Sequence, residues 1–560
     1  MGVPSFFRYL TQQYKKNDFI IKYENQKPEI KKKLKSINYL LLDANALMHP
    51  VCFKVIAENP TITDIEILED KMHIAIIEAI ESLINYVQPI VGVYIAVDGV
   101  APAAKMKQQR YRRFKSISEK QMRNSINIKH NKPISHPWNN SAITPGTKFM
   151  SKLHVKFINW IKSNSSKLNY IYSSCYEPGE GEHKLIKFIK QNADKSHIIY
   201  GLDADLIFLC LATGLNNLYL LREANELNSA DGGYLVYINM DILRIVIPNT
   251  IKDFIKKIDI FKNFNYDTLN DSNLINDFIF LCYFLGNDFL PHITAIDINK
   301  EGISYLLKAY AQILFNSSIK YIINHNDINQ ELLIKFIVEL ASREENVLKD
   351  NYKNKKDWRI IESDPYKRAL KELENLKLPE IRYELVDPIK IGSDNYESWR
   401  IRHYSYYWNA KDEIDEFSQK MVEHYIMGLK WVTQYYFDEC KSWSWYYPYD
   451  QAPFLNEIMK YDKDINSIKF KLGKAAEPVV QLLSVLPPQS SYLLPKTLRK
   501  LMHDNRSSLK YLYPIEFKQD FINKTKYWQG IPLLPPLDIP LVTHIYNKYK
   551  NELTEKEKID

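Results

Sequence analysis

Tyr39-Leu-Leu-Leu-Asp43 is a short apolar run that ends on an acid. The pattern returns along the first half of the chain. Val93-Tyr-Ile-Ala-Val-Asp98-Gly99 repeats it, and Ile198-Ile-Tyr-Gly-Leu-Asp203-Ala-Asp205 ends on two acids. Phe278-Ile-Phe-Leu-Cys-Tyr-Phe-Leu285 runs into Gly286-Asn-Asp288. Segments 39–42, 93–97, 197–200 and 206–211 read as strand-like, and amphipathic stretches such as 71–87 lie between them. Strands alternating with helices over residues 1–315 predict an α/β fold with a parallel sheet flanked by helices. In such a sheet, side chains just past the carboxyl ends of the strands line the ligand crevice.

A fifth acidic segment is Glu177-Pro-Gly-Glu180-Gly-Glu182-His-Lys184. It opens an amphipathic helix whose buried face carries Leu185, Ile186, Phe188 and Ile189. Asp43, Asp98, Glu180, Glu182, Asp203, Asp205 and Asp288 are therefore candidate catalytic and metal-binding acids. Taken singly, a strand-end Asp is as often a helix cap or turn residue. Seven carboxylates cannot stay ionised in one cleft unless cations neutralise them. All-oxygen donors suit Mg²⁺ or Mn²⁺ rather than zinc. Two such ions about 4 Å apart are an apparatus for in-line phosphodiester displacement. Gly99, Gly179, Gly181, Gly201 and Gly286 lie within two residues of these acids, in a chain with only 16 glycines. That clustering predicts tight backbone geometry at the site. Two phosphate-loop readings fail. Gly179-Glu-Gly181 lacks the third glycine of a dinucleotide loop, and no GxxxxGK[ST] occurs.

Directly after Asp98 runs Lys105-Met-Lys-Gln-Gln109-Arg-Tyr-Arg112-Arg113. On a helix Lys105, Gln109, Arg112 and Arg113 fall on one face. Such a face can converge on a phosphate, with Arg binding it bidentately. The competing reading is a solvated basic helix or an import patch. Its position beside a proposed metal ligand favours the phosphate.

Composition narrows the class. The chain has 560 residues, 45% hydrophobic and 25% charged, which is globular usage and allows roughly three or four domains. The net charge of +8 fits an anionic partner only weakly, because abundant Lys, Asn, Ile and Tyr point to an AT-rich coding bias. Five scattered cysteines with no CxxC indicate neither a disulfide scaffold nor a zinc site. The N-terminus has no apolar signal core, and Phe6 stands where myristoylation needs Ser or Thr. With no run of 18 apolar residues, a soluble intracellular protein without a membrane partner is expected.

Residues 316–400 read as a polar helical connector, with helices over 330–348 and 364–376. Residues 401–545 are dense in Trp, Tyr and Pro and read as a second, mostly helical, aromatic-rich lobe. Residues 546–560 read as a charged, solvated tail. Trp443, Trp445, Tyr446 and Tyr447 fit core and lobe-interface roles better than exposed stacking platforms. His183 and His292 lie near acids without metal-ligand spacing and read as supporting groups.

These segments together resemble the Xrn family of 5′→3′ exoribonucleases. The matching stretches are MGVPSFFRYL, LLDANALMH, VDGVAPAAKMKQQRYRRF, ITPGTKFM, EPGEGEHK, YGLDADLIFL and LGNDFLPH, then LASREENVLK, YIMGLKWVTQYYFDECKSWSWYYPYDQAPF, VLPPQSSYLLP and WQGIPLLPPLD. They occur in family order over most of the chain. The resemblance implies a PIN/flap-nuclease-like catalytic domain holding two divalent metals on the seven acids. It implies that Lys105, Gln109, Arg112 and Arg113 hold a 5′-monophosphate and that His49 stacks on a base near the 5′ end. Trp528 would stack at the far end of a short base stack, and Pro102 would border the 5′ nucleotide. The N-terminal segment and the aromatic lobe would wall a blind pocket that admits single strands and excludes capped ends.

The resemblance has departures. Ala103 stands where the family usually has Arg, and Tyr111 where a small residue is common. Asp450-Gln451 replaces His-Tyr, and Pro536 replaces an aromatic. They bear on substrate handling rather than on the metal ligands. The form expected is a compact, monomeric member without the long C-terminal modules, acting processively on single-stranded RNA with a 5′-monophosphate. A structure-specific DNA flap endonuclease is the first rival. It usually follows its last Asp with a glycine-rich helix-hairpin-helix, which the residues after Asp288 do not form. A catalytically silent RNA-binding scaffold is the second rival, and the full set of acids speaks against it.

Overall fold

Seven strands make the central sheet: β1 Ile20–Ile21, β2 Tyr39–Asp43, β3 Gly92–Ala96, β4 Asn169–Ser173, β5 His197–Tyr200, β6 Leu218–Glu223 and β7 Leu235–Asn239. The computed structural model describes residues 3, 5–26, 28–166, 168–224, 234–258, 265–316, 321–355, 359–382, 386–555 and 557. The N-terminal motif's Met1, Gly2 and Pro4 therefore lie outside the described residues, as do tail residues 556 and 558–560. The strand order is β1-β7-β6-β5-β2-β3-β4. The run β6-β5-β2-β3-β4 is parallel. β7 adds antiparallel to β6, and β1 antiparallel to β7.

Period-two alternation divides the strand side chains between two cores. Leu40 and Leu42 of β2 lie in one, Tyr39 and Leu41 in the other. β3 does the same, with Val93 and Ile95 on one side and Tyr94 and Ala96 on the other. Every residue of β2 and β3 is buried, as a parallel sheet covered on both faces requires. Helix starts are fixed locally. Asp64 accepts from the amides of Glu66 and Ile67 to open Ile65–Val87. Thr147 accepts from Met150 to open Lys148–Asn164.

Two apolar runs read from sequence as strand-like are helices. Residues 206–211 lie within Asp205–Ala212, and residues 278–282 end the helix Asp271–Cys282. All of these are buried on every side. A helix without a wet face shows no 3.6-residue period, so its sequence looks like a buried strand. Asp288 therefore follows a helix and a short 3₁₀ turn, Tyr283–Leu285, rather than a strand.

The second half is helical around Gln330–Lys353, Tyr396–Trp408 and Ile414–Phe437. One continuous hydrophobic cluster joins both halves, from Phe6, Phe208 and Phe278 to Trp399, Trp431 and Ile465. The expected solvated tail is partly packed. Tyr546 and Leu553 are buried, and Glu557 accepts hydrogen bonds from Thr497. Among the described residues no helix is long and apolar enough to cross a membrane.

Candidate active site at the carboxyl ends of the strands

The register of the sheet brings the acids together. Asp43 ends β2 opposite Ala96 of β3, so Asp98 lies two residues past the same edge. Tyr200 of β5 pairs with Leu42, which sets Gly201 level with Asp43 and carries Asp203 and Asp205 just beyond. Glu180 is the N-cap of the helix Gly181–Gln191, and Glu182 sits in its first turn. The Gly181 amide donates to Asp98 Oδ1 at 2.6 Å. A Cβ on Gly181 would stand 3.3 Å from Asp43 Oδ1, from Asp98 Oδ1 and from the Ala96 carbonyl. That point of convergence explains the glycine: any side chain would push into the acids. Gly99 is tighter still, because a Cβ there would fall 1.7 Å from the Glu177 carbonyl oxygen.

Asp288 joins through Lys105, whose Nζ lies 2.5 Å from Glu180 Oε2 and 2.8 Å from Asp288 Oδ2. Lys105 also feels Glu182 and Asp205 electrostatically. The residue read as part of a phosphate face thus lies among the acids and supplies one positive charge there. Its effect is visible in their acidity. Against the cost of burial, Lys105 holds Asp288 and Glu180 below the usual carboxylate range. Four of the remaining five acids go the other way. Burial and then Asp98 and Asp203 push Asp43 well up, and burial with Asp203 and Asp43 does the same to Glu182. Burial also raises Asp98. Burial and Asp288 push Asp205 up to about 7. One lysine does not neutralise seven acids, so the surplus charge is relieved by protons or by further cations.

The donor set fits hard divalent cations. It is all oxygen, and Asp205 Oδ1 is buried without a hydrogen-bond donor. Among the described residues no three Asp, Glu, His or Cys side chains close on one point as a formed metal shell does.

The helix Ala103–Lys129 carries the basic side chains. Pro102 is its buried N-cap. Gln109 is buried, and its Oε1 accepts from Gln481 Nε2 at 3.1 Å. Arg113 donates Nη2 to Thr144 Oγ1 at 2.7 Å and leaves Nη1 buried without an acceptor. Burial and the neighbouring Arg112 charge lower its proton affinity to about 9. Arg112 itself is exposed. His49 lies close enough to both arginines to feel them, and burial with these charges holds its ring at about 4, so it is neutral at pH 7. Trp528 is 45% exposed and lines a cavity of about 340 Å³ together with Arg112 and Asp288.

Several supporting residues were not singled out in the sequence. Asn45 donates its amide to Asp43 Oδ1 and accepts from the Asp98 amide, tying two acids together. Tyr435 donates to Glu180 Oε1 at 2.6 Å, and the Tyr436 phenol feels the Asp205 charge. The aromatic half thus reaches the acids. Gln481 joins Gln109 to the Ala101 amide. Only Asn45, two residues from Asp43, had a positional signal. Of the aromatic cluster, Tyr447 is buried in the shared core, while Trp443 contributes its carbonyl to the Ala103 amide. The His183 ring lies tilted against Tyr435 with ring centroids 3.8 Å apart, and burial lowers its pKa to about 4. His292 lines the cavity beside Trp528.

Two family models match this chain. One, described as XRN 5′-3′ exonuclease N-terminus, covers residues 1–224, and one described as Xrn1 helical domain covers residues 268–375 and 361–559. A human protein named 5′-3′ exoribonuclease 1 is 30% identical, over all of this chain and 35% of its own length. A Candida albicans protein named 5′-3′ exoribonuclease 2 is 28% identical over all of this chain and 73% of its own. For 5′-3′ exoribonuclease 1 of Saccharomyces cerevisiae the identity is 27%, with 44% of that protein covered. The chain thus spans about a third of the human relative and under half of the yeast one.

Proposed function

The chain belongs to the XRN 5′-3′ exonuclease family, and from that premise we propose that it is a metal-dependent 5′→3′ exoribonuclease. Its substrate is single-stranded RNA with a 5′-monophosphate, released processively as mononucleotides. The observation that supports the reading is that the sheet register and the two Lys105 ion pairs bring acids from separate segments beside a helix of cations. We assign residues 1–315 to the nuclease region, 316–400 to the connector and 401–545 to the helical lobe, in a monomer.

The residues that would hold two Mg²⁺ or Mn²⁺ ions are Asp43, Asp98, Glu180, Glu182, Asp203, Asp205 and Asp288. Such ions, when bound, supply an activated water and neutralise the leaving oxygen. The remaining work belongs to side chains. Arg112 and the uncommitted Nη1 of Arg113 take the terminal phosphate, with Lys105 and Gln109 beside them. The neutral His49 ring offers a stacking face for the first base, with Pro102 at its border, and Trp528 offers a second face. Reading a terminal phosphate rather than base edges makes the enzyme indifferent to sequence and dependent on the 5′ end.

The test is degradation of one single-stranded RNA carrying a 5′-monophosphate, 5′-triphosphate, 5′-hydroxyl or cap, with Mg²⁺ and then with EDTA. Metal-dependent release of mononucleotides from the monophosphate form alone is expected. Binding of RNA with no degradation of any form refutes the reading in favour of a scaffold. Internal cuts at a DNA flap refute it in favour of an endonuclease.

A further inference from the structure

Two of the side chains assigned to the terminal phosphate are held from behind by a polar partner that is itself anchored on the backbone. Arg113 donates to Thr144 Oγ1, and the Thr144 hydroxyl gives its own proton to the Ser141 carbonyl at 2.7 Å. Thr144 therefore only accepts from the guanidinium. Gln109 is held by Gln481, which lies 372 positions away on the helix Pro478–Val485. That helix packs against the basic helix, where Arg110 donates Nη1 to the Ser484 carbonyl at 3.1 Å.

Gln481 and Gln109 are both buried. A carboxamide carries an acceptor on one side and a donor on the other, so each could bond in either sense. The Ala101 amide removes that freedom. A backbone N–H only donates, and this one meets Gln481 Oε1 at 3.0 Å. Gln481 Nε2 is then on the opposite side and donates to Gln109 Oε1 at 3.1 Å. With Oε1 committed, Nε2 is the end of Gln109 left for a ligand, and among the described residues no acceptor meets it. Turning Gln481 round would set its Nε2 against the Ala101 N–H. Turning Gln109 round would set its Nε2 against Gln481 Nε2. Either change leaves buried donors facing each other without an acceptor.

The anchor is itself held. Ala101 lies in the turn that follows Asp98, and that turn is pinned to the acidic loop. The Gly99 amide donates to the Gly179 carbonyl and the Gly179 amide to the Val100 carbonyl, each at 2.9 Å.

We propose that Gln481 is a positioning residue that makes the terminal pocket selective for phosphate over hydroxyl, by holding Gln109 with its N–H groups toward the 5′ end of the RNA. The proposal rests on the exoribonuclease reading and on the assignment of Gln109 to the terminal phosphate. The oxygens of a phosphate dianion only accept, so they need the donor end of the amide. A 5′-hydroxyl both donates and accepts, so either end serves it. A freely turning amide would suit both termini, and the one fixed by Gln481 favours the anion. Gln481 acts through Gln109 alone.

The experiment is equilibrium binding in EDTA of one single-stranded RNA in its 5′-monophosphate and 5′-hydroxyl forms, read as the ratio of the two affinities. Wild type, Gln481→Met, Gln481→Asn, Gln109→Met and the double variant Gln109→Met with Gln481→Met are compared. Gln481→Met removes the relay. Gln481→Asn keeps an amide against Ala101 but is one methylene too short for Gln109, and it serves where the apolar change prevents folding. Each is expected to reduce the preference for the monophosphate about tenfold, the worth of one hydrogen bond to a charged group, with the affinity for the 5′-hydroxyl RNA unchanged. In the Gln109→Met background, Gln481→Met is expected to change the ratio no further. A preference that survives either Gln481 variant, an equal weakening of both RNAs, or independent losses in the double variant overturns the positioning role and leaves the exoribonuclease reading intact. Absence of any monophosphate preference in wild type overturns the terminal-phosphate reading, and the proposal with it.

Discussion

Tyr111 donates its phenol to Asp450 Oδ1 at 2.7 Å, across 339 positions of sequence. One residue is on the basic helix and one in the aromatic lobe, and in the fold they are partners. Lys107 Nζ lies 3.1 Å from the same oxygen, Asp450 Oδ1. Two residues that look unrelated in sequence thus form one wall of the cavity on which Trp528 lies.

Tyr111→Phe and Asp450→Ala should therefore not add. Once the phenol is gone, the carboxylate has lost the bond that the second change would remove. A coupling of about 0.5–1.5 kcal/mol is expected for one such hydrogen bond. Urea unfolding of the two single variants and the double variant measures it, and strict additivity rules out the pairing.

Asp203→Ala or Asp205→Ala should abolish hydrolysis, a loss of about 10³-fold or more, since each removes a charge worth several kcal/mol to phosphodiester cleavage. RNA binding in EDTA should be largely spared, because the contacts to phosphate and base come from other side chains. Single-turnover rates and binding curves on the same variants separate the two effects. Undiminished turnover in either variant would sink the metal-ligand assignment.

Arg112 is exposed and, among the described residues, meets no hydrogen-bond or ion-pair partner, so its removal should cost the fold little. Its charged hydrogen bonds to a terminal phosphate should be worth about 1.5–3 kcal/mol. Arg112→Ala is expected to lower kcat/KM on 5′-monophosphate RNA by about 10- to 100-fold and to leave 5′-hydroxyl RNA nearly unchanged. An unaltered ratio between the two substrates removes Arg112 from the pocket.

Two buried acids away from the site make stability depend on pH. Burial raises Asp277 from 3.8 and Glu344 from 4.5, each to about 7. The folded state therefore holds protons that the unfolded state releases between about pH 4 and 7. Their contribution is fully present below the unfolded values and is lost as pH rises through 7. Resistance to urea should fall from pH 5 to pH 8, and Asp277→Asn with Glu344→Gln should flatten that fall. An equal slope in wild type and the double variant would show that neither group titrates in this window.

The strand-end acids could be read because each follows an apolar run whose length and β-rich composition fix a buried strand locally. The helix of cations could be read because its face is set by a 3.6-residue period. The runs at 206–211 and 278–285 could not be read correctly, because full burial erases the period that separates helix from strand.

What the chain alone determined, then, is local: that the runs before Asp43, Asp98 and Asp203 form strands, and that Lys105, Gln109, Arg112 and Arg113 share one helical face. What only the tertiary structure decided is which of these neighbours meet. Lys105 is on the same helix face as Arg112, yet its ammonium is among the acids because Asp288 and Glu180 come to it from two separate loops. Tyr435 and Gln481 reach the site from hundreds of residues away. Periodicity reports the face a side chain presents to its own element. The charge or ring it meets there is set by the packing of distant segments, which no local pattern encodes.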